Sequence, residues 1–198
     1  MSGQSSEKNK TGKIVVISGP SGVGKSTICN EVVRRCSNVY LSVSCTTRAK
    51  AESEVNGREY WFVTKEEFEQ RIRNGLFLEY AEVFGNLYGT PKDKVDESLN
   101  AGRAIILEID VQGGRQAKDV YPAAIMIFIM PPSKKDLEER LNYRGRESSE
   151  KAMERLSGAG SEIEASERYY EYKVVNDNLE QAIKQVIEII QKNTETKE

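Results

Sequence analysis

Hydrophobic residues along the chain occur in short continuous runs that are separated by amphipathic stretches. Three of these runs, Lys13–Ser18, Ala104–Ile109 and Ile125–Met130, are rich in β-branched side chains, and Tyr172–Val175 is a shorter fourth run. Apolar runs of this length are typical of strands buried on both faces of a parallel sheet. The pattern therefore predicts a sheet of at least four strands.

Helical periodicity fills the intervals between the apolar runs. The last helix is the clearest, and Asp177 or Asn178 is its predicted cap. Its apolar stripe comprises Leu179, Ala182, Ile183, Val186, Ile187 and Ile190. Another helix is predicted from apolar positions that recur between Ile28 and Cys36. Three more are predicted at Asp93–Ala101, Lys134–Tyr143 and Glu150–Tyr170. Strands that alternate with helices predict an α/β fold with a parallel sheet.

One stretch, Ser44–Pro91, breaks this alternation. Two short aromatic-rich segments, Tyr60–Val63 and Phe77–Phe84, read as strands on either side of a single helix. Thr64 and Glu67 form a capping box at the start of that helix. This stretch is predicted to be a small antiparallel lobe inserted into the α/β core.

Composition narrows the possible chemistry. The 198 residues contain no histidine, which excludes Ser-His and Cys-His nucleophiles and histidine metal sites. The formal charge of -2, from 29 basic and 31 acidic residues, argues against nucleic-acid binding, and no apolar run is long enough to span a membrane. Three cysteines with no metal-binding spacing suggest reduced thiols in a cytoplasmic protein.

Polar segments at the two ends are expected to be disordered tails, at residues 1–11 and 193–198. The first has no apolar stretch, so it is not expected to be a secretory signal. A second charged segment, residues 133–157, has few apolar anchors and is expected to be mobile. It contains four arginines: Arg140, Arg144, Arg146 and Arg155.

A glycine-rich loop lies between the first strand and the first helix and fits the pattern G-x-x-x-x-G-K-[ST]. Its glycines let backbone N–H groups wrap a phosphate chain, and the helix directs its positive end at the same anion. In this motif Lys25 reaches the β and γ phosphates, and the Ser26 hydroxyl can ligate Mg²⁺. The predicted ATP-binding residues are Gly19, Pro20, Ser21, Gly22, Val23, Gly24, Lys25, Ser26 and Thr27.

Further candidates for the site follow the strand that begins at Ala104. Glu108 and Asp110 stand at the strand's carboxyl end, where a carboxylate can reach a bound metal or the acceptor.

In the inserted lobe, Arg48 with the hydroxyls of Tyr60 and Tyr88 could hold a monophosphate. A carboxylate such as Glu79 could accept both hydrogens from the N1 and N2 edge of guanine, which adenine lacks. Composition alone also allows these lobe residues to be ordinary surface positions.

From Lys13 to about Lys192 the chain resembles guanylate kinases. The resemblance rests on five blocks in order: the phosphate loop, Ser42–Arg48, Phe77–Thr90, Leu107–Gly113, and Arg144–Leu156 with Val174–Asp177. It implies a three-layer P-loop kinase core (12–43, 92–132 and 158–192), a GMP-binding lobe (44–91) and a mobile lid (133–157). It also implies ATP-dependent phosphorylation of GMP, with dGMP as a further acceptor.

The resemblance also implies roles for single residues. The guanine would be bound by Ser44, Glu79 and Thr90, and the GMP phosphate by Arg48, Tyr60 and Tyr88. Glu108 and Asp110 match an acidic pair near GMP and the metal, and Ser26 with Asp110 would serve the Mg²⁺. Asn176 matches a residue near the ATP adenine. Cations expected around the transferred phosphate are Lys25, Arg48, Arg140, Arg144 and Arg155.

The chain departs from the family pattern after Arg48. A second phosphate-binding arginine is usual three residues later, where this chain has Ala51. Lys50 is one position away and could substitute in part, although an ammonium lacks the bidentate fork of a guanidinium. The phosphate end of the acceptor site is therefore where this chain is expected to differ from its family.

The expected partners are ATP and GMP, with neither nucleic acid nor a membrane, and a homodimer stays open. Two other functions also stay open. One is a binding module with this fold, for which the intact loop is unexpected. The other is a phosphotransferase with a different small acceptor, against which Ser44, Glu79 and Thr90 argue.

Overall fold

A computed structural model of the chain describes residues 12–143 and 149–194, with side chains described for residues 12–140 and 158–194. The strands are β1 Lys13–Ser18, β2 Val39–Leu41, β3 Cys45–Thr46, β4 Trp61–Phe62, β5 Phe77–Val83, β6 Asn86–Pro91, β7 Ala104–Glu108, β8 Ile125–Met130 and β9 Tyr172–Val175. The helices are α1 Lys25–Arg35, α2 Lys65–Arg73, α3 Lys92–Asn100, α4 Val111–Val120, α5 Lys134–Tyr143, α6 Ser149–Tyr169 and α7 Leu179–Thr194.

The larger sheet has five parallel strands in the order β2-β7-β1-β8-β9. Its central strand, β1, is buried on both faces, because Val15 and Ile17 pack with α1 and α7 while Ile14 and Val16 pack on the opposite side. That opposite side is covered by residues of α3, α4 and the end of α6. The predicted α/β fold with a parallel sheet is confirmed, with a helical layer on each face.

The inserted segment forms a separate four-stranded sheet in the order β4-β3-β6-β5. The predicted capping box is present, since Thr64 Oγ1 accepts from the Glu67 backbone and the Glu67 carboxylate accepts from the Thr64 backbone. Phe68 of α2 is fully buried against Phe77, with ring centroids 4.5 Å apart. One expectation is corrected: β3 and β4 pair in parallel, so the lobe is only partly antiparallel.

Two elements of the core were absent from the sequence prediction. Helix α4 was missed because its first turn contains Gly113 and Gly114, which are poor helix formers. Strand β2 was missed because its three residues are too few to show a period. Both elements are fixed by tertiary contacts, β2 through its parallel pairing with β7.

The C-terminal boundary also differs from the prediction of a tail from residue 193. Helix α7 continues to Thr194, and the Asn193 amide donates to the Tyr172 hydroxyl at 3.0 Å. Residues 195–198, like residues 1–11, lie outside the described part of the chain. At the other end of α7, Asn178 is the cap, because its Oδ1 accepts from the Gln181 backbone at 3.0 Å.

The segment expected to be a mobile lid begins with an anchored helix. Leu137 of α5 is 1% exposed and belongs to the main core cluster. The sequence underestimated this anchor because one leucine in a charged segment gives no clear apolar stripe. Arg144 and Arg146 lie outside the described residues, and so does the side chain of Arg155.

Truncating a side chain in the core tests this packing. Ile106 in β7 is fully buried, so Ile106→Ala should lower the free energy of unfolding by about 3 kcal/mol through lost burial and the cavity left behind. Val120→Ala, at the exposed end of α4, is the control and should change it by less than about 0.5 kcal/mol. Urea denaturation measures both, and equal effects would contradict the assignment of the core.

Candidate active site

The glycine-rich loop leaves β1 and turns into α1 through left-handed backbone positions. Gly22 and Gly24 have φ of 83° and 102°, which side chains rarely adopt. A Cβ at Gly24 would also lie 2.6 Å from the Asn176 amide nitrogen. Val23 is fully buried and holds the loop onto the core. The loop can therefore bring its backbone amides close to an anion.

Lys25 and Ser26 begin α1 at the mouth of this loop. The Lys25 ammonium donates to the carbonyl oxygens of Gly19 at 2.5 Å and Pro20 at 3.1 Å. The Ser26 hydroxyl donates to Glu108 Oε1 at 2.6 Å. The structure thus brings together the cation, the hydroxyl and one of the two predicted carboxylates.

The second predicted carboxylate, Asp110, has a different set of contacts. Its Oδ1 accepts from the Gly113 backbone at 2.8 Å, so it is the N-cap of α4. Burial raises its pKa, although the Gly113 hydrogen bond and the nearby Lys25 act in the opposite direction. Glu108 rather than Asp110 is therefore the carboxylate in direct contact with Ser26.

A third carboxylate, Glu162 of α6, was missed by sequence reasoning. Its pKa is raised to about 7, mainly by burial, while the charge of Lys25 lowers the pKa and that of Asp110 raises it. Glu162 therefore lies within electrostatic range of both groups. A signal was available in the sequence. Glu162 is four and eight residues before Ser166 and Tyr170, which are buried on the same helical stripe.

Asn176 and Arg140 support the phosphate loop from behind. The buried Asn176 amide donates to the Val23 carbonyl at 2.8 Å. The Arg140 guanidinium donates to the Asn176 carbonyl at 2.9 Å and to the Val23 carbonyl at 3.4 Å. Both residues thus contact the phosphate loop at the Val23 carbonyl.

In the inserted lobe, Glu79 and Thr90 are cross-strand partners on β5 and β6. Both are buried, and the Thr90 hydroxyl donates to Glu79 Oε1 at 2.5 Å. Burial raises the Glu79 pKa to about 7; the Thr90 hydrogen bond lowers it and Asp110 raises it. Ser44 is also buried, in the segment that leads into β3. The lobe therefore contains a desolvated carboxyl in contact with the Thr90 hydroxyl.

The predicted phosphate-binding side chains form a second cluster in the lobe. The rings of Tyr60 and Tyr88 lie 5.8 Å apart, and the Arg48 guanidinium lies 5.4 Å from the Tyr60 ring centroid. Burial raises the pKa of Tyr60 to about 12. Sequence reasoning missed Glu54, which pairs with Arg48 at 2.7 Å. The Lys50 ammonium donates to the Glu54 carbonyl at 3.0 Å and so lies on the same turn.

Among the described side chains, in residues 12–140 and 158–194, no cluster of three or more cysteine, aspartate or glutamate residues is arranged to hold a metal ion. None of the helices in the described part of the chain combines the length and apolarity needed to cross a membrane.

Comparisons with known proteins agree on one family. A sequence model described as guanylate kinase matches residues 11–193. The chain is 49% identical over 179 residues to a guanylate kinase of Clostridium tetani, covering 90% of this chain and 85% of the relative. It is 48% identical over 172 residues to one of Carboxydothermus hydrogenoformans, covering 87% and 84%. It is also similar to the crystal structure of guanylate kinase from Anaplasma phagocytophilum, with a TM-score of 0.80, 34% identity and coverage of 95% and 89%.

The raised pKa of Glu79 makes stability depend on pH. Because its pKa is higher in the folded state, the folded protein holds the proton more tightly, and this contribution is lost as pH rises through about 7. Glu79→Gln cannot ionise, so the ligand-free variant should gain about 2 kcal/mol over the wild type between pH 5 and pH 8.

Urea denaturation at several pH values measures this difference. Glu82→Gln on the same strand is the matched control, because that side chain is exposed to water. It should leave the pH profile of stability unchanged. A Glu79→Gln profile parallel to the wild type would contradict the desolvation of Glu79.

Proposed function

The chain belongs to the guanylate kinase family, and we propose on that basis that it transfers the γ-phosphoryl group of ATP to the phosphate of GMP, giving ADP and GDP. The observation that carries this proposal is the pairing of an intact phosphate loop with the buried Glu79–Thr90 pair in the inserted lobe. The first feature suits a nucleoside triphosphate, and the second suits a guanine base.

Guanine recognition follows from the chemistry of Glu79. Guanine offers two adjacent N–H donors, at N1 and N2, and a carboxylate can accept both. Adenine offers no such pair, so its binding would leave a buried carboxylate without partners. Thr90, whose hydroxyl contacts Glu79, and the buried Ser44 supply hydroxyls that we assign to other polar atoms of the base. Since the two donors favour the ionised carboxylate, GMP binding should lower the Glu79 pKa.

Phosphate recognition rests on Arg48, Tyr60 and Tyr88. Glu54 holds the Arg48 guanidinium through both terminal nitrogens, which orients it before the acceptor arrives. Ala51 leaves the site without the second arginine that is usual in the family. Lys50 is the nearest replacement, and its ammonium already lies on the turn that contains Glu54.

The ATP end suits Mg²⁺ as cofactor. The Ser26 hydroxyl and the Glu108 carboxylate are 2.6 Å apart and are the hard oxygen donors that Mg²⁺ prefers. These two residues would hold the ion together with phosphate oxygens. Asp110 has a separate role as the N-cap of α4. The ion, when bound, supplies charge neutralisation at the phosphate oxygens.

Transfer is direct and in line, with no covalent enzyme intermediate, because positioning and charge neutralisation suffice for phosphoryl transfer. The GMP phosphate oxygen forms the new P–O bond as the bond to ADP breaks. Lys25 neutralises the β and γ phosphates, and Arg48 holds the acceptor. We assign Arg140, Arg144 and Arg155 to the surroundings of the transferred group, in a lid that excludes water.

Three free thiols, Cys29, Cys36 and Cys45, suit the reducing cytoplasm, where we place this activity. Asn176 is assigned to the ATP end, close to the adenine.

The acceptor assignment extends to dGMP. Ser44, Glu79 and Thr90 are assigned to the base, and Arg48, Tyr60 and Tyr88 to the phosphate. A binding module without activity has no use for the Lys25 and Ser26 arrangement.

The substrate can be tested directly by ADP release from ATP with GMP, dGMP, AMP, UMP and CMP as acceptors. GMP should be the best acceptor, with AMP weaker by about a hundredfold or more in kcat/KM, because Glu79 would be left unpaired. Equal rates with GMP and AMP would contradict the assignment of Glu79. No ADP release with any acceptor would support the binding-module alternative.

The role of Lys50 can be tested separately. Lys50→Ala should raise the KM for GMP by about three- to tenfold, as expected for the loss of an exposed charge that contacts a phosphate. The KM for ATP should not change. Lys65→Ala, an exposed lysine of α2 in the same lobe, is the control.

Restoring the family pattern completes this test. Ala51→Arg in the Lys50→Ala background should lower the KM for GMP again, because the guanidinium binds a phosphate through two hydrogen bonds. An unchanged KM in Lys50→Ala would refute the substitution of lysine for the missing arginine.

A further inference from the structure

The first turn of helix α4 contains two adjacent glycines, Gly113 and Gly114, although alanine is a better helix former. Neither glycine is needed for a left-handed backbone, since neither has a positive φ. A Cβ at Gly114 would lie 3.3 Å from Val16 Cγ1 and closer still to the Tyr170 hydroxyl. Position 114 therefore excludes a side chain because of the residues that pack against the helix.

At Gly113 the neighbour is the carboxyl group of Glu79. A Cβ there would lie 3.0 Å from the Glu79 Cδ, still closer to its Oε2, and 3.4 Å from Asp110 Oδ1. Neither carboxyl can easily move away. Thr90 holds Glu79 Oε1, and Asp110 Oδ1 accepts from the Gly113 backbone. A side chain at position 113 would therefore displace Glu79 from its present place.

One turn further along α4, Gln116 fixes the strand that carries Glu79. Its Nε2 donates to the Tyr80 carbonyl at 2.8 Å, and its Oε1 accepts from the Tyr80 backbone N–H at 3.3 Å. The two bonds pair both polar groups of the Tyr80 backbone with one side chain of α4. Gln116 thus fixes the position of β5 relative to α4 at the residue next to Glu79.

We propose that Gly113 and Gln116 are specificity-determining positioning residues, which place the Glu79 carboxylate at the N2 amino group of the acceptor's purine base. Gly113 leaves the space that the carboxyl group occupies, and Gln116 fixes the strand beneath it. This inference rests on the proposed function, because it assumes that Glu79 binds guanine. It adds that a helix of the core, rather than the lobe alone, sets the base preference.

The test compares GMP with IMP, which lacks the N2 amino group but is otherwise the same acceptor. Gly113→Ala should raise the KM for GMP by about tenfold or more and reduce the preference for GMP over IMP. The kcat at saturating GMP and the KM for ATP should stay within about twofold, since the phosphate loop is untouched. Gly160→Ala in α6 is the matched control, because a Cβ there meets no atom within 4 Å.

A double-mutant cycle separates positioning from a general effect on α4. If Gly113 acts through Glu79, the penalty of Gly113→Ala should largely disappear in the Glu79→Ala background. A penalty of the same size in both backgrounds would overturn the inference. So would a Gly113→Ala variant that keeps the full preference for GMP while Glu79→Ala loses it.

The same cycle shows which proposal has failed. If Glu79→Ala itself keeps the preference for GMP over IMP, the guanine assignment in the proposed function is wrong, whatever Gly113→Ala does. Gln116→Met, which keeps the length of the side chain but removes its hydrogen bonds, is the second variant. It should raise the KM for GMP and spare that for ATP, and an unchanged KM for GMP would remove Gln116 from the proposal.

Discussion

The parallel pairing of β1 with β7 is the constraint on which the rest of the site depends. It sets Ile17 opposite Glu108, so the phosphate loop and the acidic residues leave the sheet at the same edge. The pairing of β8 with β9 brings Asn176 to that edge as well. Because the carboxyl ends of parallel strands meet in this way, residues far apart in sequence come together at one edge of the sheet.

Several carboxyl groups are buried at a cost in electrostatic free energy. Burial raises the pKa of three carboxyl groups, those of Glu79, Asp110 and Glu162. Burial of a carboxyl group opposes its ionisation, and carboxyl groups with raised pKa values are common at functional sites. Each has a distinct set of contacts: Glu79 accepts from Thr90, Asp110 caps α4, and Glu162 lies within range of the Lys25 charge. A bound cation or hydrogen-bond donor would lower these pKa values.

Helix α4 connects the two ends of this site. Its N-cap, Asp110, belongs to the acidic edge of the core, and its first two turns contact Glu79 and Tyr80 of the lobe. A shift of the helix would therefore move the surroundings of the Glu79 carboxyl and the acidic edge together. Close packing makes such a connection stiff, because protein interiors have few voids that could absorb the shift.

The sequence by itself determined the strands β1, β7, β8 and β9, the phosphate loop with Lys25 and Ser26, and the capping box of α2. These are local patterns of hydrophobic period, glycine and hydrogen-bonding side chains, which need no distant contact. Only the tertiary structure decided the rest: the helix through Gly113, the partnership of Ser26 with Glu108 rather than Asp110, and the position of Glu162. Each depends on what packs against a residue from far along the chain, and neither composition nor period records that neighbour.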